Sequence, residues 1–215
     1  MISALLTTLI LVNTLFLFIL LIKSLYENVN SKYDKVLRVD IAILGIAFTQ
    51  YAMTFIIEQS DVLQKDAAEF AQQLRYVDWL ITTPLLLYSY WKLAEIEGWS
   101  GDFVWLLFAD LIMMIFGIAA EFFNFSFKTK MILYTIGCLG YVYIFIEILR
   151  IMKFFHNQGD TLSKSKANLG YFFLIGWIIY PVGFFLPFES KFILYSFGDF
   201  INKGLYSIAL QNTFK

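Results

Sequence analysis

Charge is scarce in this chain. Only 15% of its 215 residues are Asp, Glu, Lys or Arg, against about 25% in an ordinary soluble domain. Hydrophobic residues make up 60%, and the mean hydropathy is +0.69. A water-soluble fold of this size has no way to hide so much apolar surface, so an integral, multi-pass membrane protein is expected. Cysteine is nearly absent: Cys138 stands alone, which excludes an intramolecular disulfide and reads as inert packing in an apolar run. Histidine is as rare, and His156 lies in a polar stretch with no second ligand, so no metal site is expected. The net charge of −1 gives no electrostatic ground for binding nucleic acid. Long linkers and internal repeats are also missing, so residues 1–215 read as one domain.

What the chain has in abundance is apolar runs. They fall at 2–23, 36–58, 71–93, 102–123, 128–153, 166–187 and 191–212, each close to the ~20 residues that carry a helix across a ~30 Å hydrocarbon core. The expected fold class is an all-α membrane protein, a seven-transmembrane-helix bundle. The first run is too long and leucine-rich for a cleaved signal and reads as the first span. The breaks NVNSKYD, QSDVLQKD, EIEGWSGD, NFSFK, HNQGDTLSKS and PFES read as turns.

Orientation follows from the loop cations. One set of loops holds Lys23, Lys32, Lys35, Arg38, Lys92, Arg150, Lys153, Lys164, Lys166 and Lys215; the other holds only Lys65, Lys128, Lys130 and Lys191. The N-terminus is therefore predicted outside and the C-terminus cytoplasmic.

Arg75 and Lys203 are left as cations inside the membrane, and acids accompany them. The last run, FILYSFGDFINKGLYSIAL, sets Asp199 and Lys203 four residues apart on one helix face. The third, RYVDWLITTPLLLYSYW, sets Arg75 near its outer end, Asp78 one turn deeper and Thr82 a turn beyond. An uncompensated charge at mid-bilayer costs about 2.5–3.5 kcal/mol, so four such groups summing to near neutrality point to function. A buried lysine is also a usable nucleophile and can carry a cofactor as a Schiff base. Asp78 and Asp199 would then be its anionic partners, with Arg75 offsetting their joint charge.

The other acids read two ways. Asp40, in VLRVDIAILGIAFTQY, is either a snorkelling interfacial charge or a functional carboxyl near the inner surface. Asp110, mid-span in FADLIMMIFG, is either a neutral acid bonded to a neighbouring helix or part of a site. Glu58, Glu121 and Glu147 lie near span ends, where solvated or interfacial roles are expected.

RYVDWLITTPLLL, GWIIYP in the sixth run and DFINK in the seventh resemble the signature set of microbial (type-1) rhodopsins, and the similarity extends over all seven runs. The short loops are similar to those of rhodopsins carried by giant viruses of protists. The resemblance implies that Lys203 binds all-trans retinal covalently as a protonated Schiff base. Asp78 would be the primary counterion and first proton acceptor, hydrogen-bonded by Thr82. Asp199 would be the second counterion, kept ionised by Tyr51 and Tyr180, and Arg75 the gated cation on the outer side. The chromophore slot would be framed by Trp79, Thr83, Leu86, Met113, Gly117, Tyr141, Trp177, Tyr180, Pro181 and Phe184, with Asp110 near its far end.

Three positions depart from the family's best-known outward pumps. Ser89, seven residues beyond Thr82, stands where those pumps carry a carboxylic proton donor, giving a D-T-S signature. Asp40 is expected beside Ser89 at the same depth, donating through it or through a water. On the outer side only Glu189 matches the paired release acids, Lys191 taking the other place. Asn202 replaces a small residue next to Lys203; its dipole would shift absorption to the blue while Leu86 pulls towards green.

The function this implies is light-driven outward proton pumping in a lipid bilayer, by a trimer or pentamer, and not an enzymatic reaction. A sensory photoreceptor is the first rival, because D-T-S-like signatures occur among sensory rhodopsins. Asp199 argues against an inward pump. Thr49 and Gln50 as the only central polar residues of the second run argue against a cation channel. A chloride pump would need a neutral residue at Asp78, and a sodium pump an acid at Thr82.

Overall fold

The computed structural model describes residues 4–26, 32–59 and 67–214. Lys65, Lys215, the first residues of the first predicted span, most of QSDVLQKD and part of NVNSKYD lie outside them. Among the described residues the regular structure is helical: α1 (Ala4–Tyr26), α2 (Asp34–Glu58), α3 (Ala67–Ile96), α4 (Phe103–Phe122), α5 (Phe127–Gln158), α6 (Thr161–Gly176), α7 (Ile179–Gly183), α8 (Phe188–Asp199), a π-helical turn at Phe200–Leu205, and α9 (Tyr206–Thr213). These form the seven predicted spans. The sixth is α6 with α7; the seventh is α8, the π-helical turn and α9.

Hydrocarbon offers backbone groups no partners, so each span satisfies them internally as helix. Helices α1, α2, α4 and α5 are long and apolar enough to cross a membrane by length and composition alone; α3 carries internal charge, and the last two spans are interrupted. Side-chain caps take up free N–H groups at three starts: Asp102 accepts from Val104 N at 2.8 Å, Ser126 from Thr129 N at 3.2 Å and Asp160 from Ser163 N at 2.9 Å. Gly159 ends α5 with φ +79°, a left-handed C-cap.

The bundle is apolar outside, and its largely apolar core encloses a set of buried polar and charged groups. Trp105, Phe108 and Ile115 of α4 and Leu139, Val142 and Ile146 of α5 are exposed, while Arg75, Asp78, Asp199 and Lys203 are buried. Small residues let α4 and α5 approach closely; a Cβ on Gly140 would stand 2.6 Å from the carbonyl oxygen of Ala109. In the sixth span Pro181 has no N–H to offer, and Tyr180 N bonds the Trp177 carbonyl at 3.2 Å instead, in a tightened turn between α6 and α7.

Candidate functional site

Lys203 sits within the π-helical turn of the seventh span, 2% exposed. Such turns are rare and concentrate at functional sites. Its ammonium is ion-paired with Asp78 Oδ2 and lies 3.2 Å from Asp199 Oδ1. Asp199 accepts from Trp79 Nε1 at 2.9 Å, from the Tyr51 hydroxyl at 3.0 Å and from the Tyr180 hydroxyl at 3.2 Å. Arg75 Nε stands 3.7 Å from Asp199 Oδ2. The guanidinium donates to Ser196 Oγ at 2.9 Å and to the Phe192 carbonyl at 3.4 Å, and lies 4.1 Å from the Phe192 ring centroid. Two anions and two cations are thus held together out of water, a balance that a low-dielectric interior requires. Asp78, Asp199, Arg75, Tyr51 and Tyr180 all meet around Lys203, the grouping that the sequence led us to expect.

Thr82 departs from expectation. Its hydroxyl donates to the backbone carbonyl of Asp78 at 2.9 Å, not to the carboxylate. A threonine four residues along a helix reaches that carbonyl without leaving its own turn. Asp78 Oδ1 is left buried with no protein partner.

Beside this cluster lies a cavity of about 700 Å³, its open mouth included. Trp79, Thr83, Met113, Gly117, Tyr141, Trp177, Tyr180, Pro181 and Phe184 line it as expected, and Tyr76, Met114, Tyr134, Gly137, Cys138 and Tyr195 join them. Cys138 therefore faces the cavity wall, where the sequence suggested inert packing. Leu86 and Asn202 do not line it. Leu86 belongs to the apolar core, and Asn202 donates to the Tyr180 hydroxyl at 3.0 Å. Trp79 and Tyr180 link cavity and charge cluster, since both line the first and bond Asp199. Asp110 Oδ2 accepts from Thr83 at 3.1 Å, the neighbouring-helix bond of one of its two readings.

Asp40 and Ser89 prove to have separate partners. Asp40 Oδ2 accepts from Ser207 Oγ at 2.6 Å and from Gln211 Nε2 at 3.5 Å, and Gln211 also bonds Ser24 at 2.5 Å. Ser89 instead shares a 2.9 Å hydrogen bond with the Tyr206 hydroxyl. The last span intervenes: neighbouring residues Tyr206 and Ser207 take one partner each. A narrow crevice reaches Asp40 between Ser24, Asp34, Leu37, Arg38, Ile41 and Gln211.

At the Arg75 end, Glu189 is exposed, and Lys191 is ion-paired with Glu121 at 2.6 Å. At the Asp40 end the structure shows a cluster that sequence reasoning missed. Lys166, counted as a loop cation, is buried, 2.8 Å from Glu97 Oε1 and 2.9 Å from the Tyr33 hydroxyl. Lys32 reaches the same carboxylate at 2.9 Å. Burial pushes the Glu97 carboxyl up, but the hydrogen bonds from Lys166, Tyr33 and Lys32 outweigh it and hold it down at about 2. No local spacing announces a pair 69 residues apart.

The model of the bacteriorhodopsin-like protein family matches residues 4–215. A green-light absorbing proteorhodopsin from Gamma-proteobacterium EBAC31A08 is 30% identical over 200 residues, 86% of this chain and 76% of that protein. Opsin-1 of Neurospora crassa is 34% identical over 110 residues, half of this chain and 36% of its own length. Among solved structures, Exiguobacterium sibiricum rhodopsin superposes with a TM-score of 0.83 at 22% identity, over 99% of this chain and 98% of that one. Halorhodopsin, a light-driven chloride pump, superposes at 0.78 with 16% identity, over 99% and 98%. At these identities the structural likeness speaks for the fold. The chain belongs to the bacteriorhodopsin-like family of microbial rhodopsins, and it is a light-driven integral membrane protein.

Proposed function

We propose that this rhodopsin is a light-driven outward proton pump that carries retinal covalently on Lys203. Rhodopsins of the family bind retinal, and the residues here suit it. The lysine is the one amine in the buried charge cluster, the cavity beside it is walled by flat rings, and a Cβ at Gly117 would meet nothing within 4 Å. Bound retinal supplies light absorption and a light-dependent change in proton affinity at the Lys203 nitrogen.

The chain's own groups set the direction of transfer. Asp78 Oδ2, already paired with Lys203, is the first acceptor, and Oδ1 is free to take the proton. Asp199 is held ionised by three donors and Arg75, so it steadies the positive charge at Lys203 without competing for the proton. Asp40 reloads the site from the opposite end through Ser207, which lies one turn from Lys203 on the last span. Lipid surrounds the exposed apolar faces, and a trimer or pentamer is the assembly proposed.

The observation that carries this reading is an ionisable acceptor paired directly with the buried lysine. A chloride pump needs that position neutral, because a resident carboxylate repels the anion it would bind. The halorhodopsin likeness extends to the fold. The sensory reading rests on Ser89, which at neutral pH has no proton to give.

The test is illumination of an unbuffered suspension of expressing cells supplied with all-trans retinal. Acidification of the medium, abolished by a protonophore, is expected. Alkalinisation would establish inward transport, and an unchanged pH with a cycle lasting seconds would establish sensing.

A further inference from the structure

Outward pumping needs an exit, and among the described residues neither Glu189, the one release acid expected, nor Glu121, the other carboxylate at that end, is linked to the Arg75 cluster by a hydrogen bond or ion pair. Glu189 is exposed on the surface, and Glu121 is tied up by Lys191. A different set of groups runs from the level of Arg75 towards the membrane surface, on α1, α2 and α3. Asn13, Gln50, Thr54 and Gln72 are all buried there, each at most 4% exposed. They interrupt otherwise apolar stripes: Asn13 falls among Leu6, Ile10 and Leu17, and Gln72 follows Ala71.

Their positions form a ladder. Gln72 is one turn from Arg75 on α3, and Arg75 lies over the Tyr51 ring of α2, 5.9 Å from its centroid. Thr54 is one turn beyond Gln50 and accepts its amide at 3.0 Å. Glu58 is one turn further, at the end of α2, and accepts from Thr7 of α1. That pair sets α1 antiparallel to α2 and brings Asn13 level with the turn between Gln50 and Thr54. Several polar atoms of this ladder are buried without a protein partner: Asn13 Nδ2, Gln50 Oε1, both amide atoms of Gln72, and Glu58 Oε2. Buried polar groups in such numbers are sustained by internal water.

We infer that protons leave through this seam, with Glu58 as the terminal relay carboxylate. This inference rests on the outward-pump reading and names its exit. A proton displaced from the Arg75 region passes along the water-bridged amides and adds to Glu58 Oε2. It then departs to bulk solvent, so the carboxylate is regenerated in each turnover.

The test is flash excitation of the retinal-bound protein with a soluble pH-indicator dye, with infrared detection of Asp78 protonation in the same sample. In the wild type, dye acidification is expected to follow Asp78 protonation closely. Glu58→Gln is expected to delay the dye signal at least tenfold while Asp78 protonation keeps its rate, and Glu58→Asp to restore the timing. Gln72→Leu, which removes no protein hydrogen bond, is expected to delay release as well. Thr7→Val, which removes the hydroxyl bonded to Glu58, serves as the structural control and is expected to leave the timing unchanged. Wild-type release timing in both Glu58→Gln and Gln72→Leu would overturn the inference while leaving the pump reading intact. Should Glu58→Gln fail to fold, Gln72→Leu with unchanged timing overturns it alone. A wild type that moves no protons under light would remove the pump reading itself.

Discussion

Replacing Glu97 by glutamine tests whether the Asp40 end of the bundle is clamped by charge. The substitution leaves Lys166 charged and buried, its side chain 2% exposed, with only neutral acceptors, the new amide oxygen and the Tyr33 hydroxyl, in place of the carboxylate. Lys32 is 57% exposed and returns to solvent at little cost. A carboxyl held down from 4.5 to about 2 corresponds to about 3 kcal/mol of favourable interaction in the folded state. Breaking a buried pair from one side costs a similar ~3–5 kcal/mol. At about 2–4 °C per kcal/mol for a chain of this size, the thermal midpoint should fall by roughly 6–12 °C at pH 7. Loss of pigment colour on heating, checked by circular dichroism, measures it. The double variant Glu97→Gln with Lys166→Met should recover most of the loss, since an apolar replacement leaves no buried charge. The sign with pH is fixed. A depressed carboxyl stabilises fully above its unfolded value of 4.5, and that stability is lost as pH falls through about 2. The wild type's advantage over Glu97→Gln should therefore be flat from about pH 6 upwards and shrink below about pH 4. A midpoint shift under about 2 °C at pH 7, or a double variant no more stable than the single one, would refute the clamp.

Asp78→Asn removes the acceptor paired with Lys203, so light-driven acidification should stop and visible absorption should move to the red; pH recording and a spectrum check both. Asp40→Asn should slow the late recovery of the cycle several-fold, with azide restoring the rate. Unchanged recovery would take Asp40 and its Ser207 contact out of the reloading path.

The parts of this protein legible in its sequence are those where hydrocarbon imposes a large cost. Apolar runs long enough to span, and the four charges that violate them, follow from the transfer free energies of peptide and ionised groups. Asp78, Asp199, Arg75 and Lys203 accordingly meet where expected. The parts that were not legible depend on helix rotation and on choices among near-equal hydrogen bonds. Nothing in FINKGL distinguishes a π-helical turn from an α-helical one, yet that turn carries Lys203. Thr82 is equally able to bond a carboxylate or its own helix carbonyl, and it takes the latter. Asp40 and Ser89 were expected to meet, but adjacent hydroxyls of the last span, Ser207 and Tyr206, separate them. Lys166 looked like a loop cation because it follows a polar stretch, and only tertiary contact brings Glu97 to it.

Direction is a property of the two halves taken together. Between Lys203 and the Asp40 end, the Ser89–Tyr206 bond lies among large apolar groups, including Leu86, Phe173 and Trp177. On the other side, the groups beyond Arg75 include buried amides without protein partners, and these are at home only in hydrated surroundings. On the outward-pump reading, a proton that Asp78 has taken up meets polar groups towards the Arg75 end and the large apolar side chains around Ser89 and Tyr206 towards the Asp40 end. On the same reading, reloading through Asp40 would need water to enter among those side chains first, which would make it the later event. Release before reloading, in that order and on those sides, is what outward transport requires. The clamp of Lys166 on Glu97 ties α6 to the end of α3 at the mouth of the half that would have to open on that reading.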